Sequence, residues 1–166
     1  MTRFGKSIWG IEMDISFKTE SVRFNLRVAA VIHQQERLLV IREENAPYAY
    51  LPGGRVHMGE DAEAAILREI KEEMGEQAKI VRPLWLSQNF FREEVSEEDF
   101  HELCLYFLVD VPNIRKSDFT VVEKGRENHF FWLDFDQLQE ERVYPQFIKK
   151  EIKQLPRELT LRIARD

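Results

Sequence analysis

The stretch Arg68 to Glu76, REIKEEMGE, gathers Glu69, Glu72, Glu73 and Glu76 within two helical turns. A helix advances about 100° per residue, so these carboxylates share an arc of roughly 100°. Like charges at such spacings destabilise a helix by about 0.2–0.5 kcal/mol per pair. Arg68, four residues before Glu72, is the cation well placed to relieve them. One reading is a solvated acidic face. The other is ligation, since carboxylate oxygens suit Mg2+ or Mn2+ and a divalent cation turns the repulsion into attraction. The surrounding chain has to choose between them.

Moving outward, the period is helical from Asp61 onward. Ala62, Ile66, Ile70 and Met74 recur on one side, Ala65 and Leu67 widen it, Asp61 is an N-cap and Gly75 a stop. Before the helix, IWGIEMDISF reads as a first strand, and FNLRVAAVIH and RLLVIREE as a hairpin joined by QQE. ENAPYAYLPGG is loop with a short strand at Tyr48 to Leu51. After the helix, AKIVRPLWLSQNFF is a strand broken at Pro83, and REEVSEEDF a charged loop. HELCLYFLVDV is apolar on both faces and belongs in the centre of a sheet. NIRKSDFTVVEKGREN is a polar connection, HFFWLDFDQL a strand, and YPQFIKKEIKQL a second packed helix through Phe147, Ile148, Ile152 and Leu155. Strands on both sides of a helix, plus a terminal helix, predict an α+β chain with helices covering a mixed sheet.

The composition fits one domain over residues 1–166, with a hydrophobic fraction of 43% that argues against disorder. A net charge of -6 gives no support for binding long nucleic acid or an anionic membrane surface. A phosphate-bearing substrate must then be met by local cations or by metal. Cys104 is the single cysteine and reads as a buried structural thiol. The N-terminus lacks the apolar core of a signal peptide, no run is long enough to span a membrane, and the cytoplasm is the expected compartment.

Taken together, Gly54 to Glu76 reads GRVHMGEDAEAAILREIKEEMGE. Gly54, Glu60, Arg68, Glu69, Ile70, Glu72, Glu73 and Gly75 stand at the spacing G-x5-E-x7-R-E-apolar-x-E-E-x-G. This resembles the Nudix box, and the flanking strand pattern extends the resemblance to the MutT-like Nudix hydrolases over most of the chain. The resemblance implies an α/β/α sandwich with a mixed sheet. It implies metal held by Glu69, Glu72 and Glu73, by the carbonyl of Gly53, and by Glu60 as a further ligand, with Arg68 orienting the carboxylates. It also implies hydrolysis of a nucleoside diphosphate linked to another moiety, a small nucleotide-type substrate, and Mg2+ or Mn2+ as cofactor.

Two positions depart from the family pattern. Glu76 follows the last glycine where an apolar residue is usual, and His57 stands where a glutamate is common. For the general base, Glu69 is the first choice within the box, and Glu123 and Glu127 are the later candidates. Outside the box, Arg55 and Arg27 are candidates for phosphate, with Arg42 and Arg92 unranked. Tyr50 and Phe90, with Tyr48 and Phe91, are candidates for stacking on a base. His101 and His129 read as structural. A homodimer involving the segment around Trp9 is a further expectation. The alternative function is a catalytically silent Nudix-fold domain that binds a nucleotide and regulates, against which the complete carboxylate set argues.

Overall fold

The computed structural model describes residues 12–123 and 125–166. The segment holding Trp9 and the start of the expected first strand lies outside the described residues. In chain order the elements are β1 (Ser16–Lys18), β2 (Val22–Val31), β3 (His33–Gln34), β4 (Arg37–Glu43), β5 (Ala49–Tyr50), β6 (Gly53–Arg55) and α1 (Ala62–Met74). They continue as β7 (Lys79–Arg92), β8 (Asp99–Asp110), β9 (Phe119–Glu123), β10 (Arg126–Asp134), β11 (Val143–Tyr144), α2 (Ile148–Glu151) and β12 (Thr160–Arg165).

The strands form two mixed sheets. The first runs β1-β2-β8-β7-β12, with β6 paired to the stretch of β2 beyond β1; the second runs β11-β5-β4-β10-β9, with β3 on β4. β8 lies in the middle of the first sheet, where its two-sided apolar pattern requires it. Alternate residues of β2 and β4 enter two different cores. Val28, Ala30, Leu39 and Ile41 pack with Ile66 and Ile70 of α1. Ala29, Val31, Leu38 and Val40 pack with Ile148 of α2 and with Ile152. Both strands are thus buried on both faces between two helical layers, as the α/β/α expectation requires.

Several local expectations are corrected. β2 and β4 do not form one long hairpin. Only β3 closes on β4, through a turn in which Gln35 and Glu36 take positive φ of 49° and 60°. β2 instead pairs in parallel with β8 over ten registered positions, Val22↔Asp99 to Val31↔Leu108. β7 is not broken at Pro83 but runs through it with register shifts on either side, so the proline is taken up as an irregularity. The polar connection contains β9, whose Phe119 is buried. The C-terminal helix is short: α2 has four residues and continues as a 3-10 turn, Ile152–Gln154. Leu67 is exposed rather than part of the apolar side of α1.

Candidate metal site on the acidic helix

α1 begins and ends where its residues predict. Asp61 accepts a hydrogen bond from the Ala64 amide at 2.8 Å, and Gly75, at φ 73°, donates to the Lys71 carbonyl. The helix buries Ala65, Ile66, Ile70 and Glu73, so one carboxylate shares the core-facing stripe with the isoleucines. Its N-terminal approach is fixed by β6, which pairs antiparallel with β2 as Arg27↔Arg55, Val28↔Gly54 and Ala29↔Gly53. That register puts the two glycines against the glutamates. An added Cβ on Gly54 would stand 2.2–2.3 Å from the Glu69 carboxylate atoms, so the missing side chain is the space Glu69 fills. Gly53 has φ 150°, and a Cβ there would meet the Val28 carbonyl oxygen at 2.1 Å.

Arg68 organises the cluster. Its Nε and Nη2 donate to the two oxygens of Glu60 at 2.7 and 2.9 Å, a bidentate pair. Nη1 donates to Glu69 at 2.7 Å and to Glu72 at 3.1 Å, and Nη2 also reaches the Arg55 carbonyl at 3.0 Å. The Glu60 pairing raises the proton affinity of the guanidinium further above its ordinary value. Burial pushes the Glu60 carboxyl up, but its bonds from Arg68 and from the His57 amide outweigh that and hold it low. Replacing Arg68 by Lys removes the fork while keeping the charge. Arg68→Lys is expected to lower the unfolding free energy by about 1–2 kcal/mol in thermal or urea denaturation.

Glu69 and Glu73 shift the other way. Burial raises the Glu69 carboxyl, with the Glu72 charge adding to it and Arg68 opposing. Glu73 is raised well above the usual carboxylate range, first by burial and then by the neighbouring Glu69 charge, with Glu123 adding to it. Its Oε2 is buried and has no hydrogen-bond partner. Glu72 is the open member of the set, its side chain 46% exposed.

The remaining expected residues separate into near and far. Arg27 donates from Nη2 to the Gly53 carbonyl at 3.3 Å and lies 5.7 Å from the Tyr50 ring centroid. Burial opposes its charge, but Glu102, Cys104, Tyr50 and Glu73 outweigh this and keep it protonated. Tyr50 donates its hydroxyl to Glu43 at 2.7 Å. Arg55 donates to Asp14 at 3.3 Å. His57 sits between Asp14, 3.4 Å from Nε2, and Glu60, which accepts from its backbone amide at 2.9 Å, a bonded role in keeping with a structural histidine.

Glu123 follows Phe119 and Val121, which face the α1 core, at the two-residue strand period. Glu127 is exposed and lines a separate cavity of about 290 Å³ with Arg42, Glu43 and His129. Phe90 contacts His101 and Arg165 instead of the glutamates, and Phe91 stacks on Phe100. Arg92 pairs with Asp99, and Tyr48 bonds Glu93. Cys104 is buried, and burial pushes its thiol well up, which leaves it unreactive.

Two features were not read from the sequence. One is Glu43, brought to Tyr50 only by β4–β5 pairing. The other is a buried polar row on β7 and β8, where Ser87 donates to Asn89 at 2.6 Å and Asn89 to Glu102 at 3.1 Å and Tyr106 at 3.2 Å. The two-residue alternation Ser87–Asn89 and Glu102–Cys104–Tyr106 was the available signal.

Among the described residues no three acidic, His or Cys side chains already converge on a point, because Arg68 lies between Glu60, Glu69 and Glu72. The donor set nevertheless fits a hard divalent cation in kind: carboxylates, a backbone carbonyl, and a buried carboxylate oxygen left without a partner.

A mixed-sheet sandwich carrying such a glycine-led acidic helix defines a class of α+β domain built around a carboxylate cluster. The chain belongs to the NUDIX domain family, whose model matches residues 23–155. An ADP-ribose pyrophosphatase of Methanocaldococcus jannaschii is 33% identical over 110 residues, covering 64% of this chain and 61% of that protein. A putative 8-oxo-dGTP diphosphatase of Bacillus subtilis is 42% identical over 50 residues, covering 30% of this chain and 34% of that protein. The matches thus span less than two thirds of either relative. Among solved structures, the mutator MutT protein of Bacillus halodurans has a TM-score of 0.58 at 14% identity, covering 84% of this chain and 90% of that one, which shows a common fold. No described helix is long and apolar enough to cross a membrane.

Proposed function

We propose that the chain is a hydrolase that uses Mg2+ or Mn2+ to cleave a diphosphate linkage in a nucleoside diphosphate joined to another moiety. The observation that carries this is Glu73, a buried carboxylate beside Glu69 and the Gly53 backbone whose Oε2 lacks a hydrogen-bond partner. A fold has little stabilising use for a buried carboxylate with one oxygen left without a hydrogen bond, because the desolvation costs more than the remaining bond returns. The names of the two relatives, a pyrophosphatase and a diphosphatase, support the same class of bond.

In this reading Glu69, Glu72, Glu73 and the Gly53 carbonyl hold the cation, and Glu60 lies behind them as a further ligand. When bound, the cation screens phosphate charge and lowers the pKa of a coordinated water. Arg68 keeps Glu60, Glu69 and Glu72 in reach of one another, so it positions rather than reacts. Glu69 is the first choice for the base within the cluster; in the metal-free chain burial raises its carboxyl while Arg68 opposes. Arg27, Arg55 and Tyr50 border the cluster and are the residues to meet phosphate and base. A cytoplasmic setting belongs to the reading, supported by the lone buried thiol. So does a homodimer.

Of the later bases, Glu123 is favoured over Glu127, since Glu123 is felt by Glu73 while Glu127 faces the separate cavity. Were the base drawn from the later loop, Glu123→Gln would lower kcat by about 100-fold with Glu127→Gln within twofold of wild type, whereas a base at Glu69 leaves both variants near wild type. Equal losses in steady-state assays reject the distinction. The function itself is tested by measuring phosphate and pyrophosphate release, with and without Mg2+. The panel covers nucleoside triphosphates, nucleotide sugars, dinucleoside polyphosphates and dinucleotide coenzymes. One metal-dependent substrate establishes the hydrolase and its class. Tight nucleotide binding with no turnover on any of them favours the regulatory alternative.

A further inference from the structure

Away from the acidic helix, four basic side chains from three parts of the chain meet at one cavity. His33 comes from β3, Arg82 from β7, Lys153 from the 3-10 turn after α2, and Arg157 from the segment that leads into β12. The cavity measures about 700 Å³, and Leu155 and Pro156 supply its apolar wall. Such a volume suits a small organic molecule. It lies on the α2 side of the first sheet. Leu155 packs on the core that Ile148 enters, whereas α1 packs into the other core. His33 also follows Ala29, the register partner of Gly53, by four residues, about 13 Å of extended chain.

The charge of this cavity is not balanced from within. Among the described residues no carboxylate lines it, although the chain carries 30 acidic residues against 24 lysines and arginines. Arg82 donates from Nε to the Pro156 carbonyl at 3.1 Å, which ties β7 to the lining segment. That is its only side-chain hydrogen bond among the described residues, so the two terminal nitrogens keep their donors for a ligand. Arg157 forms no ion pair among the described residues. Lys153 pairs with Asp136 at 2.7 Å, but that carboxylate is 89% exposed and water screens the pair. Glu36 is a second acid that acts on Lys153. The His33 ring lies 6.0 Å from that of Phe135, and partial burial and then the Arg82 charge lower its proton affinity. The positive field of the cavity thus reaches His33 uncancelled. Holding the Pro156 carbonyl takes one donor and gives no reason for three further basic groups beside it.

We propose that this cavity binds a small phosphate ester, its phosphate between Arg82 and Arg157 and its organic part against Leu155 and Pro156. A guanidinium fork matches phosphate oxygens in pairs, and a phosphate dianion balances two guanidinium groups where a single carboxylate balances one. The Lys153 ammonium and the His33 ring supply further donors at the same cavity. The net charge of -6 disfavours a long polyanion, which leaves a ligand small enough to enter the cavity. The inference goes beyond the hydrolase reading and does not rest on it, since neither the acidic cluster nor any residue assigned to substrate lines the cavity.

Titration calorimetry on the metal-free full chain tests it, with phenyl phosphate, phenol and inorganic phosphate as probes. Without a divalent cation the acidic cluster repels phosphate, so the basic cavity is the site that is read. The expected dissociation constant for phenyl phosphate is about 100 μM, with inorganic phosphate about tenfold weaker and no binding of phenol. Arg82→Gln and Arg157→Ala each weaken phenyl phosphate about tenfold, and the double variant loses it. Arg157→Ala removes no ion pair of the fold, which keeps the test clear of any destabilisation at Arg82. Arg55→Ala, at the candidate substrate site, binds as wild type does. In NMR spectra of the imidazoles, the His33 resonances shift on titration while those of His129, on the second sheet, stay in place. No binding of phenyl phosphate up to about 10 mM, or equal affinity in wild type and Arg157→Ala, overturns the proposal. Loss of binding in Arg55→Ala with the Arg82 and Arg157 variants unaffected places the anion at the acidic helix and overturns it as well. Inorganic phosphate binding as tightly as the ester overturns the role of Leu155 and Pro156.

Discussion

Glu73→Gln is expected to lower turnover about a thousandfold while making the metal-free protein more stable at neutral pH. The carboxylate is buried, raised in pKa and has an oxygen without a partner. A neutral amide of the same shape removes a desolvated charge, and the expected gain is about 1–2 kcal/mol. The loss of a metal ligand removes about 4 kcal/mol of transition-state stabilisation, close to a thousandfold in rate. The pH dependence has a definite sign. Because folding raises the affinity of Glu73 for its proton, its contribution is complete below the unfolded carboxyl pKa and is lost as pH rises through the folded value. Urea denaturation of the metal-free protein should therefore show wild type losing stability with rising pH over that window, and Glu73→Gln losing less. A variant that is less stable at neutral pH, or that turns over normally, contradicts the assignment.

The two glycines of β6 should fail in opposite ways. Gly53→Ala drives a Cβ against the Val28 backbone at a φ of 150°, and neither strand can give without breaking the β2–β6 pairing. The expected cost is about 3 kcal/mol or more of folding stability, read as a lowered denaturation midpoint. At Gly54 the obstacle is the end of the Glu69 side chain, which can swing away. Gly54→Ala should therefore keep most of the stability and lose kcat by about 100-fold or more, because the displaced carboxylate is the one proposed as ligand and base. Similar stability for both variants would refute the steric argument.

These residues also mark what was legible in the sequence. The helix, its caps and most of its carboxylates follow from local spacing, so Asp61, Gly75, Glu69, Glu72 and Glu73 fall on or beside the helix as expected, whereas Glu76 lies past the Gly75 cap and off the helix arc. The central place of β8 was readable from its unbroken apolar run. The parallel pairings β2–β8 and β12–β7 were not, because the partners lie far apart in the chain and no turn announces them. β12 has no clear sequence signal because its apolar residues Leu161 and Ile163 are themselves exposed and alternate with half-buried Arg162 and Ala164. The last helix was overextended because Pro145 and Pro156 leave it few residues, and only Ile148 and Ile152 are buried there. In the site, Arg27 reaches the Gly53 carbonyl and Glu43 reaches Tyr50 through strand register, which no short window contains.

The two-sided burial of β2 bears on how the molecule breathes. Amide protons in a strand covered by both cores are released only by near-complete unfolding, so β2 should be among the last segments to exchange with deuterium. The Ala30 amide of that strand donates to the Pro52 carbonyl at 2.8 Å, and Val28 and Ala29 stand in register with Gly54 and Gly53. The glycine loop is thus moored to the slowest-exchanging part of the chain. Exposed Glu72 hangs from a helix flank that faces solvent, so the cluster has one immobile wall and one that can yield to an incoming ligand.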